Sequence, residues 1–358
     1  MKILHVSSAA YIVGGGVSEY LRNISERLAR KHEVTVFASN PNSALPRYEV
    51  INGVKVVRYT CYAPNGAFYF SSELPVMLRK KKFDVVHAHN YHSFPFHLAG
   101  FMAKCDNFVV SPCFHGAGHT PFRDCLFRIF KPLGKKTLKR ASNILAASEY
   151  EKLLLCEQFN FEPSKVTVIQ RGVNFSEFKG LKRRKHNFKS VLFVGRLVEY
   201  KGVQYLIKAL PKLNEDVILE IVGKGPLRNR LEMLARKLGV LDRVRFYQDL
   251  KRQELLQMYV NADVFVLPSR YEAYSKVVAE ALALGTPCIV ANTSALQEWI
   301  DNESCFGISF PIDLNELSDL ICSVLEKHFS GVAMKKWIGK KIIDWDDVVI
   351  KLETIYNQ

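Results

Sequence analysis

Two glutamates, Glu272 and Glu280, are separated by seven residues in a segment that the sequence predicts as loop and helix between two buried strands. The helix-forming residues end at Gly285. Ser275 is a candidate N-cap, and the open amides of a helix N-terminus attract an anion such as a diphosphate. Helical side chains lean toward the helix N-terminus, so the Glu280 carboxylate would reach sugar hydroxyls beside that anion. The alternative is that both glutamates are solvated surface residues.

Two positive side chains, Arg196 and Lys201, follow a predicted strand at residues 191–194. A guanidinium and an ammonium at that position can neutralise a diphosphate without a metal ion. The alternative for each is an ordinary surface cation near a turn. The glycines at 14–16 precede a predicted helix, and a stretch without Cβ atoms lets the backbone approach a phosphate or a sugar closely.

Histidines are the other candidates for chemistry. His115 follows a predicted strand at 108–112, although a lone histidine is most often structural. A metal site is one interpretation of four histidines that lie close together in the sequence, but their spacing matches no common zinc site. Residues of an acceptor site or polar groups of the core are favoured instead for these four, which are His87, His89, His92 and His97. Asp344 and Asp346 resemble a metal-binding pair, but their place at the start of a predicted helix favours capping.

The elements that must position these residues alternate between strand and helix, which is the pattern of parallel sheets covered by helices. Both halves begin alike, with a strand at 2–7 or 191–194, a glycine-containing loop, a helix and a second strand. This is a weak internal duplication of a Rossmann-like unit, in which ligands bind beyond the carboxyl ends of the strands. Further strands are predicted by short apolar runs at 33–38, 84–89, 108–112, 144–147, 166–169, 217–222, 264–267 and 288–291. Residues 344–356 read as a capped amphipathic helix.

Length and composition indicate an ordinary globular protein. The chain has 358 residues, which suggests about two domains, and 48% of them are hydrophobic. No apolar run is long enough for a transmembrane helix, and the N-terminal residues turn polar too early for a signal peptide. The eight cysteines form no C-x2-C pair, so reduced thiols in the cytoplasm are the simplest interpretation.

The net charge of +15 is concentrated in two clusters. The first is Arg79, Lys80, Lys81 and Lys82, and the second is the aromatic-rich segment Pro121–Arg140, with seven basic residues and one acid. Such segments favour contact with an anionic membrane surface, at the inner membrane face, or with a phosphorylated acceptor. The alternative is a core of aromatic residues with solvated lysines. We find no nucleic-acid recognition motif, so nucleic acid is not expected as a partner.

Several motifs together resemble the retaining GT-B glycosyltransferases of the large group 1 (GT4-like) family. The segment with Glu272 and Glu280 is similar to that family's E-x7-E region. The other segments occur in the family's order along the whole chain: an opening strand and glycine loop at 1–37, an H-G segment at 111–118, a connector at 168–178, G-R-L-x-x-x-K-G at 195–202 and a G-x-G-P loop at 223–226.

This resemblance implies an α/β architecture of the GT-B type, with two Rossmann-like domains facing each other across a cleft. It places an acceptor domain at residues 1–171, with a C-terminal helix within 342–358 crossing back to it. The donor domain would be residues 172–341. The implied reaction is metal-independent transfer of a sugar, with retention, from a nucleoside-diphosphate sugar to an acceptor hydroxyl, with a lipid-linked or phosphorylated glycan as a candidate acceptor.

The resemblance also assigns roles. His115 would lie beside the anomeric carbon, Glu272 would contact the donor sugar, and Glu280 would hold the ribose hydroxyls. Arg196 and Lys201 would bind the diphosphate, and the remaining donor contacts would come from Gly15, Gly16 and Ser275. No metal and no other cofactor is implied. One departure is that the family usually has glycines beside the first glutamate, where this chain has Ala273 and Ser275.

Two other functions stay open from the residues. One is a sugar-nucleotide epimerase on the same fold, which would need additional acid and base groups that we do not identify. The other is a non-catalytic subunit that binds a sugar nucleotide. Neither the sugar, the nucleotide base nor the acceptor follows from the sequence.

Overall fold

The computed structural model describes residues 1–11, 15–41, 43–64, 68–116, 121–184, 186–327, 329 and 337–358, with the side chains of 121–129 left aside. Gly14 and the side chains of the first half of the second basic cluster therefore lie outside the described residues. The chain divides into two compact units, Met1–Gly172 with Asp344–Gln358, and Val173–Ile343. Each unit is an α/β structure around one mainly parallel sheet.

Eight strands form the sheet of the first unit: β1 (Lys2–Val6), β2 (Glu33–Asn40), β3 (Tyr48–Ile51), β4 (Val54–Thr60), β5 (Lys82–His89), β6 (Lys104–Ser111), β7 (Asn143–Ala146) and β8 (Val166–Val168). Their order is β3-β4-β2-β1-β5-β6-β7-β8, with β3 antiparallel to β4 and the other neighbours parallel. The strand order reverses between β1 and β5, and ligands of such sheets bind beyond the carboxyl ends at that point.

The helices of the first unit are α1 (Gly16–Leu28), α2 (Glu73–Lys80), α3 (Phe94–Met102), α4 (Pro121–Arg140), α5 (Glu149–Phe159) and α11 (Trp345–Tyr356). Strands β1, β2 and β5 bury residues on both faces, as expected when helices cover a parallel sheet on both sides. The Asp344 carboxylate caps α11 by accepting the Asp346 amide at 3.0 Å, which confirms the capping interpretation.

The second unit has six parallel strands: β9 (Lys189–Val194), β10 (Val217–Val222), β11 (Val244–Tyr247), β12 (Val264–Leu267), β13 (Cys288–Ala291) and β14 (Cys305–Ile308). Its helices are α6 (Val203–Ala209), α7 (Arg228–Lys237), α8 (Arg252–Asn261), α9 (Lys276–Ala283) and α10 (Leu314–Glu326). The order β11-β10-β9-β12-β13-β14 places β9 beside β12, so the reversal point lies between the strands that precede Arg196 and Glu272.

The strand predictions are confirmed to within four residues at their ends, but four strands were missed. The β3–β4 hairpin turns at Asn52 and Gly53, which have φ angles of 49° and 82°. An Asn-Gly pair with positive φ at both positions is a strong hairpin signal that the sequence does contain. Strands β11 and β14 were also missed, because Arg245 and Gly307 interrupt their short apolar runs.

None of the helices in the described part of the chain has the length and hydrophobicity for a membrane crossing.

Candidate active site

The loops after β9 and β12 contact each other closely at the carboxyl edge of the second sheet. The Arg270 amide donates to the Tyr200 carbonyl at 2.7 Å. Gly202 has a φ of 78°, and a Cβ atom on it would lie 2.3 Å from the Pro268 carbonyl oxygen. Since no other residue fits this approach, the G-R-L-x-x-x-K-G segment ends in glycine for a steric reason.

Lys201 and Glu272 form an ion pair across these two loops, with side chains only 15% and 13% exposed. The backbone of Glu272 is fixed independently, because its amide donates to Ser294 Oγ at 3.0 Å and its carbonyl accepts the Ala295 amide at 3.2 Å. The structure therefore brings together two residues that the sequence assigned to different parts of a donor molecule.

Arg196 is exposed beside this pair. Its guanidinium hydrogen-bonds the Tyr200 hydroxyl, and the same ring lies 5.6 Å from Lys201 Nζ. Arg196 and Lys201 therefore both lie beside the Tyr200 ring, just beyond the carboxyl end of β9. An anionic ligand at this position could contact both cations.

The loop after β10, which contains Gly223 and Gly225, packs closely against the loop after β9. A Cβ atom on Gly223 would lie 1.8 Å from the Gly195 carbonyl oxygen, and one on Gly225 would lie 2.3 Å from the Leu197 carbonyl oxygen. The Leu197 amide donates to the Lys224 carbonyl at 2.8 Å. The G-x-G-P segment thus fixes the backbone on both sides of Arg196.

Ser275 precedes α9 as expected, but it does not cap the helix. Its backbone is left-handed, with a φ of 74°, and its side chain makes no cap hydrogen bond. The hydroxyl is buried and has no hydrogen-bond partner among the described residues. The expected cap fails because a left-handed residue cannot aim its Oγ at the first helical amides. This conformation also explains why glycine is usual at this position in the family.

Glu280 is almost fully buried in an ionic network rather than exposed on its helix. Its carboxylate accepts from Arg252 at 2.6 Å and from Lys276 at 2.9 Å. Arg252 also donates to Glu177 at 2.8 Å. Burial alone would raise the pKa of Glu280, but the charges of Lys276 and Arg252 outweigh burial and hold this pKa below its usual value. The carboxylate is therefore ionised at neutral pH and can only accept hydrogen bonds.

Arg252 and Lys276 were missed as site residues by the sequence interpretation. Lys276 precedes Glu280 by four residues, so the helical i,i+4 rule could have found it. Arg252 lies 28 residues before Glu280, and no local pattern joins the two.

In the first unit, Gly15 and Gly16 form the start of α1. Gly15 has a φ of 136°, and a Cβ atom on either glycine would meet no atom within 4 Å among the residues that the structure describes. The backbone at this helix N-terminus carries no side-chain carbons at Gly15 and Gly16, which suits the close approach of an anionic ligand.

His115 lies beyond the end of β6 and is half-buried. Its ring stacks on that of His92, with centroids 4.6 Å apart and planes 13° apart. Before it, the Phe114 amide donates to the Glu151 carboxylate at 2.6 Å. His92 follows the neighbouring strand β5, so two adjacent strand ends place one histidine each at this edge of the sheet.

The other histidines of that cluster belong to the core. His87 and His89 are fully buried, and His5 from β1 completes a group whose ring nitrogens lie within 4.8 Å of one another. His5 Nδ1 and His89 Nε2 are 3.1 Å apart. His87 forms hydrogen bonds through Nδ1 with the Tyr356 hydroxyl at 2.6 Å and through Nε2 with Ser111 Oγ at 2.8 Å. Burial lowers the pKa of all three, so they are neutral members of a polar core network.

His97 is also buried, on α3, with its Nδ1 3.3 Å from Thr137 Oγ1. Of the four histidines in the sequence cluster, therefore, His92 alone joins His115.

The two basic clusters differ in the environment of their charged side chains. Arg79, Lys80, Lys81 and Lys82 are exposed at the end of α2 and the start of β5. Arg140, at the end of α4, instead donates to the carbonyl oxygens of Gly100 and Ala103, each at 2.6 Å.

Comparisons with known proteins agree with this architecture. Residues 175–339 match the family described as glycosyl transferases group 1, and residues 14–177 match glycosyltransferase family 4. An uncharacterised glycosyltransferase of Methanocaldococcus jannaschii is 32% identical over 81% of this chain and 80% of its own length. Glycogen synthase of Mycobacterium tuberculosis is 28% identical over 99% of this chain and 94% of its own.

Among solved structures, the sucrose-phosphate synthase of Thermosynechococcus elongatus superposes with a TM-score of 0.79 at 22% identity, covering 100% of this chain and 98% of its own. The Anabaena protein HepE, solved in complex with UDP-glucose, has a TM-score of 0.77 at 16% identity, with 100% of both chains covered. These similarities confirm the GT-B type of fold with two Rossmann-like domains.

The resemblance first drawn from the motifs is thus confirmed: the chain belongs to the group 1 glycosyltransferases and is a glycosyltransferase enzyme.

Proposed function

We propose that this enzyme transfers a sugar from a nucleoside-diphosphate sugar to an acceptor hydroxyl with retention of configuration, and that it needs no metal ion. The observation that carries the proposal is the grouping of Arg196, Lys201 and Glu272 where β9 and β12 end side by side. The Anabaena neighbour solved with UDP-glucose supports a donor of this class.

The donor would bind to the second unit. Arg196 and Lys201 neutralise the diphosphate as it leaves, which a divalent cation does in metal-dependent enzymes. When the diphosphate takes Lys201 as its partner, the Glu272 carboxylate becomes available to the hydroxyls of the donor sugar. Glu280 accepts from the ribose hydroxyls, and its lowered pKa keeps it ionised for that task.

The first unit would supply the remaining groups. Gly15 and Gly16 allow the start of α1 to approach the donor, and the main-chain carbonyl of His115 supports the positive charge that develops at the anomeric carbon. The bond from this carbon to the diphosphate oxygen breaks, and its electron pair leaves with that oxygen. The acceptor oxygen bonds to the carbon on the same face, and its proton passes to the departing phosphate oxygen.

The acceptor we propose is a lipid-linked or phosphorylated glycan. The exposed residues Arg79, Lys80, Lys81 and Lys82 support this choice, because they offer positive charge to a phosphate group or an anionic membrane surface. Since the chain belongs to a glycosyltransferase family, transfer takes precedence over epimerisation and over a non-catalytic role.

The test is release of nucleoside diphosphate from a panel of UDP-, GDP- and ADP-sugars, with glycan acceptors and in the presence of EDTA. We expect turnover with one donor class and no loss of rate in EDTA. Lys201→Ala should reduce kcat by about 100-fold, as loss of a charge-stabilising group does, while the exposed control Lys208→Ala should not. Turnover that stops in EDTA and returns with a divalent cation would refute metal independence.

A further inference from the structure

A single buried carboxylate joins two loops at the edge of the first sheet. The Phe114 amide donates to Glu151 Oε1 at 2.6 Å, and the Ala147 amide donates to Glu151 Oε2 at 2.7 Å. The Glu151 side chain has no exposed surface. The Glu151 side chain therefore links the loop after β6 to the loop after β7. Its contact in the first of these loops is Phe114, the residue immediately before His115.

The position of Glu151 in α5 makes this contact unusual. Ser148 caps the helix by accepting the Glu151 amide at 3.1 Å, so Glu151 is the third helical residue. In a capping box, a glutamate at that position bonds back to the amide of the cap residue. Here both carboxylate oxygens bond other amides, and one of those belongs to the segment that carries His115. The carboxylate is thus used between elements rather than within its own helix.

The same face of α5 also holds the chain after His115. Gln158 donates to the Gly116 carbonyl at 3.4 Å, and a Cβ atom on Gly116 would lie 2.9 Å from Leu154 Cδ2. Glu151, Leu154 and Gln158 follow the three- and four-residue spacing of one helix face. His115 is therefore held on both sides by one rigid element.

We propose that Glu151 is a positioning residue that sets the place of the His115 main chain, and thereby the carbonyl offered to the reacting sugar. This inference rests on the proposed role of His115. An ionised carboxylate is suited to the task, because it only accepts hydrogen bonds and can satisfy both amides at once. Burial raises the pKa of Glu151 to about 7, despite the two amides and nearby Arg171, so the group changes charge close to neutrality.

The test is Glu151→Gln, which keeps the size of the side chain but replaces one acceptor oxygen with a donor. We expect kcat to fall by between about 10- and 100-fold, as for a small displacement of a catalytic group, with the donor KM changed less than about twofold. Hydrogen exchange at the Phe114 amide should become faster. The matched control is Glu149→Gln, which makes the same change at an exposed position of the same helix. Glu151→Asp, which keeps the charge, should recover part of the lost kcat.

The inference is overturned if folded Glu151→Gln matches Glu149→Gln in kcat and in exchange. If Glu151→Gln does not fold, Glu151→Asp decides against wild type, because it keeps the charge but is one methylene too short to reach the Phe114 and Ala147 amides at their present distances. A lowered kcat with unchanged donor KM in that variant supports the inference, and an unchanged kcat overturns it. Wild-type protein that turns over no donor would refute the proposed function alone, since the exchange measurement still tests Glu151.

Discussion

Lys201 and Glu272 lie 71 residues apart in the chain and form an ion pair at the point where β9 and β12 lie side by side. Both side chains are mostly shielded from water, so removing one partner costs more than it would in an exposed pair, because the other charge is left without compensation. It holds both groups in place before a donor arrives, which reduces the entropy lost on binding.

Glu272→Gln should therefore lower kcat/KM for the donor by about 100-fold, because the variant loses both the partner of Lys201 and a contact to the donor sugar. The control is Glu199→Gln, which removes an exposed carboxylate from the loop that carries Lys201. Steady-state kinetics with both variants checks this. Equal rates for the two variants would remove Glu272 from the site.

Ser275→Gly should stabilise the protein by about 0.5–1 kcal/mol. Glycine adopts the left-handed conformation without the penalty of a side chain, although part of the gain is lost to the entropy of the unfolded chain. Ser275→Ala is the control, because it removes the unpartnered hydroxyl and keeps the backbone conformation. The midpoint of thermal unfolding should rise more for glycine than for alanine, because glycine alone also relieves the left-handed backbone. A midpoint that rises equally in both would assign the effect to the hydroxyl.

Glu280→Gln should destabilise the protein by about 2–3 kcal/mol. The change leaves the partly buried side chains of Lys276 and Arg252 without the Glu280 carboxylate. We place the value below that of a fully buried pair because the Arg252 side chain is 31% exposed and keeps Glu177. The donor KM should rise as well. In the i,i+4 helical pair Arg228–Glu232, the side chains are 32% and 33% exposed, so the change Glu232→Gln should cost no more than about 0.5 kcal/mol. Chemical denaturation of both variants measures the difference, and equal losses would contradict it.

The buried histidines should make the first unit sensitive to acid. Burial lowers the pKa of His97 to about 4 and that of His5 to about 3, from an ordinary value of 6.5. The unfolded chain therefore binds protons first as the pH falls below about 6.5, and each such histidine lowers the free energy of unfolding by up to about 1.4 kcal/mol per pH unit. Glu151 has the opposite effect, because burial raises its pKa to about 7. The folded chain binds this proton first, so Glu151 increases the free energy of unfolding as the pH falls below about 7.

Denaturation at pH 7.5 and 5.5 checks this balance. We expect lower stability at pH 5.5 and a smaller pH dependence in His97→Phe. A wild-type free energy of unfolding that does not change between the two pH values would contradict it.

Binding to anionic vesicles should depend on the first basic cluster. Replacing Lys80 and Lys81 by alanine should weaken binding at low salt by about 30-fold, since each lysine near an anionic surface contributes about 1 kcal/mol. Lys237→Ala, at an exposed position of the second unit, is the control. Vesicle sedimentation measures the affinities, and wild-type protein that stays in solution with anionic vesicles at low salt would refute the membrane proposal.

The sequence by itself determined the alternation of strands and helices, the family and the identity of most candidate residues. It could do so because strands and helices leave local periodicities, and because glycines at close backbone approaches, such as Gly202 and Gly223, admit no substitute. Loops that follow parallel strands also lie at one edge of a sheet, so Arg196 and Glu272 could be placed at the same edge without knowledge of the strand order.

Only the tertiary structure decided which of these side chains meet. Strand β12 lies beside β9 although β10 and β11 come between them in the chain, and this order pairs Lys201 with Glu272. Likewise, His5 joins His87 and His89 in the core because β1 lies next to β5. The order of strands in a sheet depends on the packing of the whole unit, whereas periodicity and spacing report only on neighbours along the chain.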